Sequence, residues 1–209
     1  MAPEELSPLS NKAIIVQPVT TVRELESIQQ LRYQICVVER GQMHLEGTCH
    51  RSKTIADHLD QDLVVFGISC NGELVGTLRW GLVSWSDRPH RHTTKLQALG
   101  FHDLDKLGVT DRLALTPSVR SLLTLRQVYE GVATTALDAG SMYEFCWASP
   151  RLAVLYGRLG YRRTGAKVVN DAGKPLEILQ LNLRPNLEYR PNPAAFDGGL
   201  GFPLPTQAA

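Results

Sequence analysis

The sequence has no long apolar run and no excess of charge of either sign. Its 22 Lys and Arg residues are balanced by 21 Asp and Glu residues, which gives a formal net charge of +1. A nearly neutral chain gives no electrostatic reason to expect nucleic acid or an anionic membrane as a partner. No apolar run approaches the roughly 20 residues that cross a bilayer, and residues 1–7 do not resemble a secretion signal. We therefore expect a cytoplasmic protein without a transmembrane segment.

Cysteine is also scarce, with four scattered residues and none of the CxxC spacing that marks many metal and redox sites. Only one neighbouring Cys-His pair occurs, and no second pair completes a set of zinc ligands. His90 and His92 lie in a polar loop and are expected to be exposed. We predict reduced thiols and no bound metal, with Cys70 and Cys146 packed in strands or in the core.

The 209 residues, 43% of them hydrophobic and 21% charged, are typical of a globular chain with room for a large core. No internal repeat or break in composition divides the chain. We predict a polar lead-in at residues 1–12 and a single domain at residues 13–183. Residues 184–209, which are rich in Pro, Gly and Asn, are expected to form an extended tail.

Apolar periodicity predicts strands and helices that alternate along most of this domain. The predicted strands cover residues 13–19, 63–69, 73–83, 109–115, 142–148, 166–170 and 176–183. The predicted helices cover residues 22–39, 119–137 and 150–159. An Asn71-Gly72 turn joins the second and third strands, and the polar connection at 41–61 is long enough to carry function or short helices. We predict an α/β fold with a mixed, mostly antiparallel sheet of about seven strands flanked by helices.

The stretch from Val109 to Gly140 runs from a strand directly into a helix. Free backbone N–H groups at a helix N-terminus bind anionic or oxygen-rich ligands in many α/β proteins. We therefore expect an acyl group carried as a thioester to bind at this junction.

This order of elements resembles the GNAT N-acyltransferase superfamily over about residues 13–183. Ser149–Gly165 looks like the last helix of that family, followed by a Gly-aromatic turn into the next strand. Arg112–Arg120 is similar to the family's central strand and the loop that receives the pantetheine arm. The resemblance implies transfer of an acyl group from a thioester to an amine, with no permanently bound cofactor.

One loop departs from the acetyl-CoA members of the family. In those members two glycines let backbone N–H groups contact the pyrophosphate, whereas this chain has Leu123 and Leu125. The acyl-homoserine-lactone synthases and N-acyl amino acid synthases also lack the glycine loop, and they take long acyl chains from acyl carrier protein. The resemblance implies acyl-phosphopantetheine on that carrier as co-substrate, with acyl-CoA as the alternative. Arg120, Ser121 and Leu122 would contact the pantetheine arm.

Charged residues on several elements carry the likeness to this branch. They are Arg32, Asp57, Asp60, Arg79, Asp111 and Arg112. The lactone synthases have an aromatic residue and a glutamate where this chain has Cys36 and Val109, which favours the N-acyl amino acid synthases. Arg32, Arg79 and Arg112 are candidates to bind the carboxylate of an amino acid, because a guanidinium fork fits that group. The alternative is ion pairing with nearby acids.

Amide formation from a thioester needs a free amine, a stabilised oxyanion and a proton for the leaving thiolate. The backbone N–H groups of Leu113, Ala114 and Leu115 are candidates for the oxyanion contact, and such donors are worth roughly 3–4 kcal/mol each. Tyr156 occupies the position where relatives place the tyrosine that protonates the thiolate, unless it only packs on the sheet.

Four further residue sets complete the candidate site. Glu39, Asp57 and Asp60 are candidates to act as base or as electrostatic anchors on the amine side, the alternative being a structural network. Glu144 is expected to face the cleft. Trp80, together with Trp85, Leu96 and Phe101, either lines an acyl pocket or packs in the core. The basic loop at 88–92 is a candidate docking patch for an acidic carrier protein.

The leading hypothesis is an N-acyltransferase that moves a medium- or long-chain acyl group from acyl carrier protein to an amino acid or a similar small amine. An acetyl-CoA-dependent N-acetyltransferase is the first alternative. A module of the same shape that binds an acyl chain or a partner without catalysis is the second.

Overall fold

The computed structural model describes residues 13–86, 93–170 and 173–184. Its strands are β1 Ile14–Pro18, β2 Thr48–Cys49, β3 Thr54–Ile55, β4 Val64–Cys70, β5 Glu73–Leu82, β6 Leu107–Leu115, β7 Tyr143–Ala148, β8 Arg162–Val169 and β9 Pro175–Asn182. Its α-helices are α1 Val22–Tyr33, α2 Leu59–Asp62, α3 Thr93–Ala98, α4 Leu122–Asp138 and α5 Pro150–Gly157.

Seven strands form one sheet in the order β1-β4-β5-β6-β7-β9-β8, and β2 and β3 form a separate small hairpin. Within the large sheet β6 and β7 are parallel, and every other neighbouring pair is antiparallel. The predicted fold class, with its mostly antiparallel sheet of about seven strands, is confirmed.

The hairpin of β4 and β5 follows the turn chemistry in the sequence. Asn71 and Gly72 both have positive φ, at 53° and 82°. This conformation is required at both central residues of a type I′ turn, and it matches the right-handed twist of the two strands. Beyond a register shift between Ile68 and Ser69, Arg79 near the end of β5 pairs with Val65 of β4 on one side and with Asp111 of β6 on the other.

The first helix differs from its prediction at its end. Thr21 caps α1 in a capping box with Glu24, as Ser/Thr-x-x-Glu sequences favour. After Tyr33 the chain widens into a π-helical turn, Gln34–Glu39. This change of pitch buries Val37 and leaves Val38 exposed, although the helical period predicts the opposite. π-Turns inside helices often occur at functional sites.

Two other elements begin three or four residues away from their predicted starts. α4 begins at Leu122 after a short 3₁₀ turn, Pro117–Val119, and not at Val119. β8 begins at Arg162, four residues before the predicted start, because it is an edge strand whose mostly exposed side chains show little apolar alternation. The connection at 41–61 contains the small hairpin and α2.

Helices cover both faces of the sheet. Side chains that alternate along β5 point to opposite faces, so Leu78 and Trp80 pack with α4. Arg79 points to the other face, where it meets residues of α2 and the segment before it. Cys70 and Cys146 are buried, as predicted.

No helix in the described part of the chain is long and apolar enough to cross a membrane. The His90 and His92 pair, the basic loop at 88–92, the lead-in at 1–12 and almost all of the predicted tail lie outside the described residues. The proposed domain boundaries stay a prediction.

Candidate functional site

The site begins where the parallel strands β6 and β7 of the large sheet separate. Among the residues that the structure describes, these strands pair from Leu107 and Tyr143 to Thr110 and Cys146 and not beyond. Both strands continue, to Leu115 and Ala148, so that they splay apart. The sheet therefore has an opening at its centre.

Backbone donors of β6 face this opening. The Thr116 N–H donates to the Val75 carbonyl on the β5 side at 2.8 Å. Because successive N–H groups along a strand point to opposite sides, the Leu115 N–H points towards the opening. Ala114 instead pairs with Thr77 of β5. Of these two oxyanion candidates, Leu115 therefore has the suitable direction.

A β-bulge shapes the same strand. The register between β5 and β6 shifts between Thr77 and Arg79, and Arg112 has a φ of 54°. A left-handed conformation is uncommon for a long side chain and is usually maintained by its surroundings. A bulge also redirects side chains, and here it brings Arg112 to Asp57 and to the Glu46 carbonyl.

A cavity of about 660 Å³ passes through the opening. Its charged end is lined by Arg32, Arg40, Glu46, Asp57, His58, Arg79, Asp111 and Arg112, with Cys36, Gln42, Leu45, Ile55, Leu59 and Thr110. The other end is lined mainly by apolar and aromatic residues, namely Leu113, Leu115, Leu122, Leu125, Tyr129, Cys146, Leu152, Leu155 and Tyr156, with Arg120 and Ser121. Trp147, Asn170 and Leu176 also line the cavity, and Trp147 and Leu176 pack with the cluster that contains Leu59. The cavity thus has one charged end and one largely apolar end.

Arg79 is the centre of the charged end. Its Nε and Nη2 donate to the two carboxylate oxygens of Asp111 at 2.8 and 2.7 Å. Its Nη1 donates to Asp57 and, at 3.0 Å, to Asp60. Burial opposes the positive charge of Arg79, but the attraction of Asp111 and Asp57 is larger and raises its pKa. With its donors occupied, Arg79 holds the acids in place.

Arg32 differs from Arg79 because part of its guanidinium is unpaired. Its Nη1 donates to both carboxylate oxygens of Asp60, at 2.7 and 2.8 Å. Its Nε and Nη2 are buried without a hydrogen-bond partner among the described residues. An unpaired buried donor is costly, and here burial lowers the pKa of Arg32 despite the opposing effect of Asp60. The positive charge of Arg32 lies in the wall of the cavity.

Asp57 links this network to the bulge. It accepts hydrogen bonds from Arg79 and Arg112, and its Oδ1 also accepts from the Leu59 N–H at 3.0 Å. Burial favours its neutral form, but the two arginines together lower its pKa. Asp57 is therefore a firmly ionised anchor and a weak base.

Tyr156 lies at the apolar end, within the cavity wall, and is buried. It accepts a hydrogen bond from the Tyr129 hydroxyl at 3.1 Å. Burial raises its pKa, and Cys146 adds to this effect. The phenol therefore keeps its proton at neutral pH, as an acid must.

Arg120 and Glu39 form a pair at the edge of the cavity. Two guanidinium nitrogens contact the two carboxylate oxygens of Glu39 at 2.5 and 2.7 Å, and Nε donates to the Leu115 carbonyl at 2.9 Å. The hydrogen bonds from Arg120 lower the pKa of Glu39. Glu39 lies outside the cavity wall, so it supports Arg120 and is poorly placed as a base. At the start of α4, Ser121 Oγ accepts from the Thr124 N–H at 3.0 Å.

Four candidates, Glu144, Trp80, Leu96 and Phe101, lie in the core and not in the cavity wall. Glu144 accepts a hydrogen bond from Trp80 Nε1 at 2.6 Å and one from the Thr110 hydroxyl. Leu96 and Phe101 belong to a second core cluster. The packing alternative describes these residues, because the side chains of Trp80 and Glu144 point to the face of β5 and β7 opposite Arg79.

Three cavity residues with polar or titratable side chains have a place in the site that the sequence does not predict. Asp111 is predicted only as part of the likeness to the synthase branch, Cys146 is predicted as a packed thiol, and Tyr129 has no predicted role. Tyr129 lies four residues after Leu125 on the cavity side of α4, so helical spacing from that leucine was the available signal.

No model of a known protein family matches the sequence, and no curated protein sequence matches it. Solved structures do match. The N-acyl amino acid synthase FeeM from uncultured soil microbes superposes with a TM-score of 0.65 and 14% identity, over 82% of this chain and 92% of FeeM. The chain has a GNAT-like fold.

Two further structures share this GNAT fold. The acyl-homoserine-lactone synthase LasI matches with a TM-score of 0.63 and 15% identity, over 93% of this chain and all of LasI. The CoA-dependent acyl-homoserine-lactone synthase BjaI, solved with MTA, gives a TM-score of 0.67 and 16% identity, over 83% of this chain and 85% of BjaI. At such identities the shared property is the fold, and the resemblance noted in the sequence is confirmed at that level.

Proposed function

We propose that this protein is an N-acyltransferase that moves a medium- or long-chain acyl group from an acyl carrier protein thioester to the amine of an amino acid or a related small molecule. The observation that carries the proposal is the cavity through the opened sheet. Its charged end suits a zwitterionic acceptor, and its apolar end suits an acyl chain and the pantetheine arm.

The acceptor carboxylate binds at the charged end of the cavity, where Arg32 and Arg112 lie in the wall and a guanidinium group fits a carboxylate. Arg112 contributes a second positive charge, while Asp57, Asp60 and Arg79 hold both arginines in position.

The reaction takes place between the two ends of the cavity. The amine nitrogen attacks the thioester carbon, and the oxyanion that forms accepts a hydrogen bond from the Leu115 N–H. When the carbon–sulfur bond breaks, the Tyr156 hydroxyl gives its proton to the leaving thiolate. The nitrogen loses a proton in turn, so thioester and amine yield amide and thiol.

The start of α4 favours a carrier protein over coenzyme A as the molecule that supplies the acyl group. Arg120 is occupied by Glu39 and the Leu115 carbonyl, and the Thr124 N–H is occupied by Ser121. Fewer donors are therefore left to bind a pyrophosphate, and a donor that brings its own protein surface does not need them.

Basic residues beside the cavity also support an acyl carrier protein as the source of the acyl group. Residues 149–170 contain five basic side chains and no acidic one, and of the five Arg163 pairs with Glu177 of β9. Arg151, Val154 and Arg158 form an exposed stripe on α5, since positions i, i+3 and i+7 share one side of a helix. Leu152, Leu155 and Tyr156 of the same helix line the cavity. An acidic carrier protein docked on this stripe would direct its pantetheine into the opening.

An acyl-CoA donor is the second candidate, and the structural match to the CoA-dependent synthase BjaI is the observation in its favour. An experiment separates the carrier-protein donor from the acyl-CoA donor. The same acyl chain is supplied on carrier protein, on coenzyme A and on free pantetheine, and turnover is measured with a panel of amino acids. We expect kcat/KM to be higher with the carrier protein by about tenfold or more, which is within the range of electrostatically steered association. Equal or better turnover of acetyl-CoA would contradict the carrier protein and the long chain. Absence of any transfer would favour a non-catalytic binding module.

A further inference from the structure

Three tyrosines meet at the apolar end of the cavity. Tyr129 comes from α4, Tyr156 from α5, and Tyr161 lies just before β8. Their ring centroids are 5.3 to 5.7 Å apart, and every pair is packed edge to face. All three are enclosed by the cluster that contains Cys146, Ala148 and Ala153. This packing limits the directions in which the hydroxyl groups can point.

One polar contact connects these rings. The Tyr129 hydroxyl donates to the Tyr156 oxygen at 3.1 Å, and both side chains line the cavity. A phenol carries one proton and can also accept hydrogen bonds. Because Tyr156 is the acceptor in this contact, its own proton is left for a group inside the cavity.

We propose that Tyr129 is a positioning residue for proton transfer by Tyr156, holding the Tyr156 proton towards the cavity and stabilising the phenolate left after that proton is given up. The inference rests on the proposed function. In the step concerned, the carbon–sulfur bond breaks and the Tyr156 proton moves to sulfur. The phenolate later recovers a proton that balances the one lost by the acylated nitrogen.

Electrostatics supports this division of roles. Burial raises the pKa of Tyr156, whereas the hydrogen bond from Tyr129 acts in the opposite direction. Burial also raises the pKa of Tyr129. Tyr129 therefore stays a donor while Tyr156 gives up its proton, and a donor to a phenolate forms a charge-assisted hydrogen bond.

Tyr161 offers a matched control. It is buried and packs on both other rings, but its hydroxyl makes no hydrogen bond of normal geometry within the described residues. Burial raises the pKa of Tyr161, and the nearby Tyr129 hydroxyl acts in the opposite direction. Removing that hydroxyl takes away the same atom from the same cluster without breaking the contact between Tyr129 and Tyr156.

The first test compares Tyr129→Phe and Tyr161→Phe on two donors with the same acyl chain. One is an alkyl thioester of pantetheine, and the other is an aryl thioester whose thiolate leaves without protonation. We expect Tyr129→Phe to lower kcat on the alkyl thioester by about tenfold, a part of the roughly 10²- to 10⁴-fold that a general acid supplies. The aryl thioester should be turned over almost normally, and Tyr161→Phe should change neither rate. An equal loss on both donors, or the same pattern in Tyr161→Phe, would overturn the proposal.

A second measurement needs no turnover and separates this proposal from the proposed function. A fluorinated tyrosine, whose phenol is more acidic, is placed at position 156 and titrated by its phenolate absorbance. Replacing Tyr129 by Phe should move this titration to higher pH by roughly one pH unit, because the phenolate loses its donor. An unchanged titration would overturn the role of Tyr129, even in a protein that transfers acyl groups.

Discussion

Among single residues, Glu144 carries a carboxyl group in an unusual setting. It lies in the core, 3% exposed, with hydrogen bonds from Trp80 and Thr110. Burial raises the pKa of Glu144 from 4.5 to about 8, against the smaller opposing effect of Trp80. Between these two pH values the folded protein holds a proton that the unfolded chain has released. Folding stability from this group is therefore present below about pH 4.5 and is lost as the pH rises to about 8.

The variant Glu144→Gln tests whether this carboxyl group makes folding stability depend on pH. Gln is neutral at every pH and has the shape of the protonated acid, with an oxygen for Trp80 and an amide for Thr110. The free energy of unfolding of the native protein, relative to the variant, should fall by about 3 kcal/mol between pH 5 and pH 8. Urea unfolding of both proteins at the two pH values measures the difference. Parallel pH dependence in the two proteins would show that Glu144 does not titrate in this range.

At the scale of elements, the bulge in β6 controls where Arg112 points. The backbone of Arg112 has a φ of 54°. This conformation destabilises the folded state by roughly 1–2 kcal/mol for a residue with a side chain, but by little for glycine. Arg112→Ala and Arg112→Gly both remove the contact to Asp57, so they differ mainly in the backbone. We expect the glycine variant to be more stable than the alanine variant by about 1 kcal/mol, the reverse of the usual order in a strand.

Equilibrium urea unfolding of the two Arg112 variants measures this difference. Both should lose most acyl transfer with a raised KM for the acceptor, because the second positive charge at the charged end is gone. A glycine variant less stable than the alanine variant would mean that the bulge relaxes when the arginine is removed.

The elements also show which parts of the structure local sequence determines. Asn71-Gly72 and Gly140 act on their own backbone, so the hairpin and the end of α4 were predictable. The π-turn was not, because its wider pitch depends on what Val37 packs against and not on the periodicity of the helix. The charged end was grouped through the resemblance alone, since Arg32, Asp60 and Arg79 are brought together by tertiary folding. Tyr129 was missed because an apolar helix face has the same pattern whether it covers a sheet or lines a cavity.

For the whole molecule, charge is balanced in total but not in space. The net charge is +1, yet residues 149–170 carry five basic side chains and no acid, and only Arg163 among the five has an ion pair among the described residues, with Glu177 of β9. Exposed opposite charges are screened within about a Debye length, so the attraction of this face for an acidic protein should weaken with salt. Activity on a carrier-protein donor should therefore fall between low and physiological ionic strength, while activity on acyl-pantetheine should stay constant.

Charge reversal of the α5 stripe tests the same surface directly. Arg151→Glu and Arg158→Glu, which are exposed and outside the cavity wall, should raise KM for the carrier-protein donor by roughly tenfold, the scale of a lost steering interaction. Neither should alter kcat or KM for acyl-pantetheine, which reaches the same opening without docking.

Arg23→Glu on α1 changes net charge by the same amount on the other side of the sheet, so it serves as the control. If Arg23→Glu has the same effect as the stripe variants, the effect belongs to net charge. If neither stripe variant changes KM at low salt, the carrier protein docks elsewhere or is not the donor.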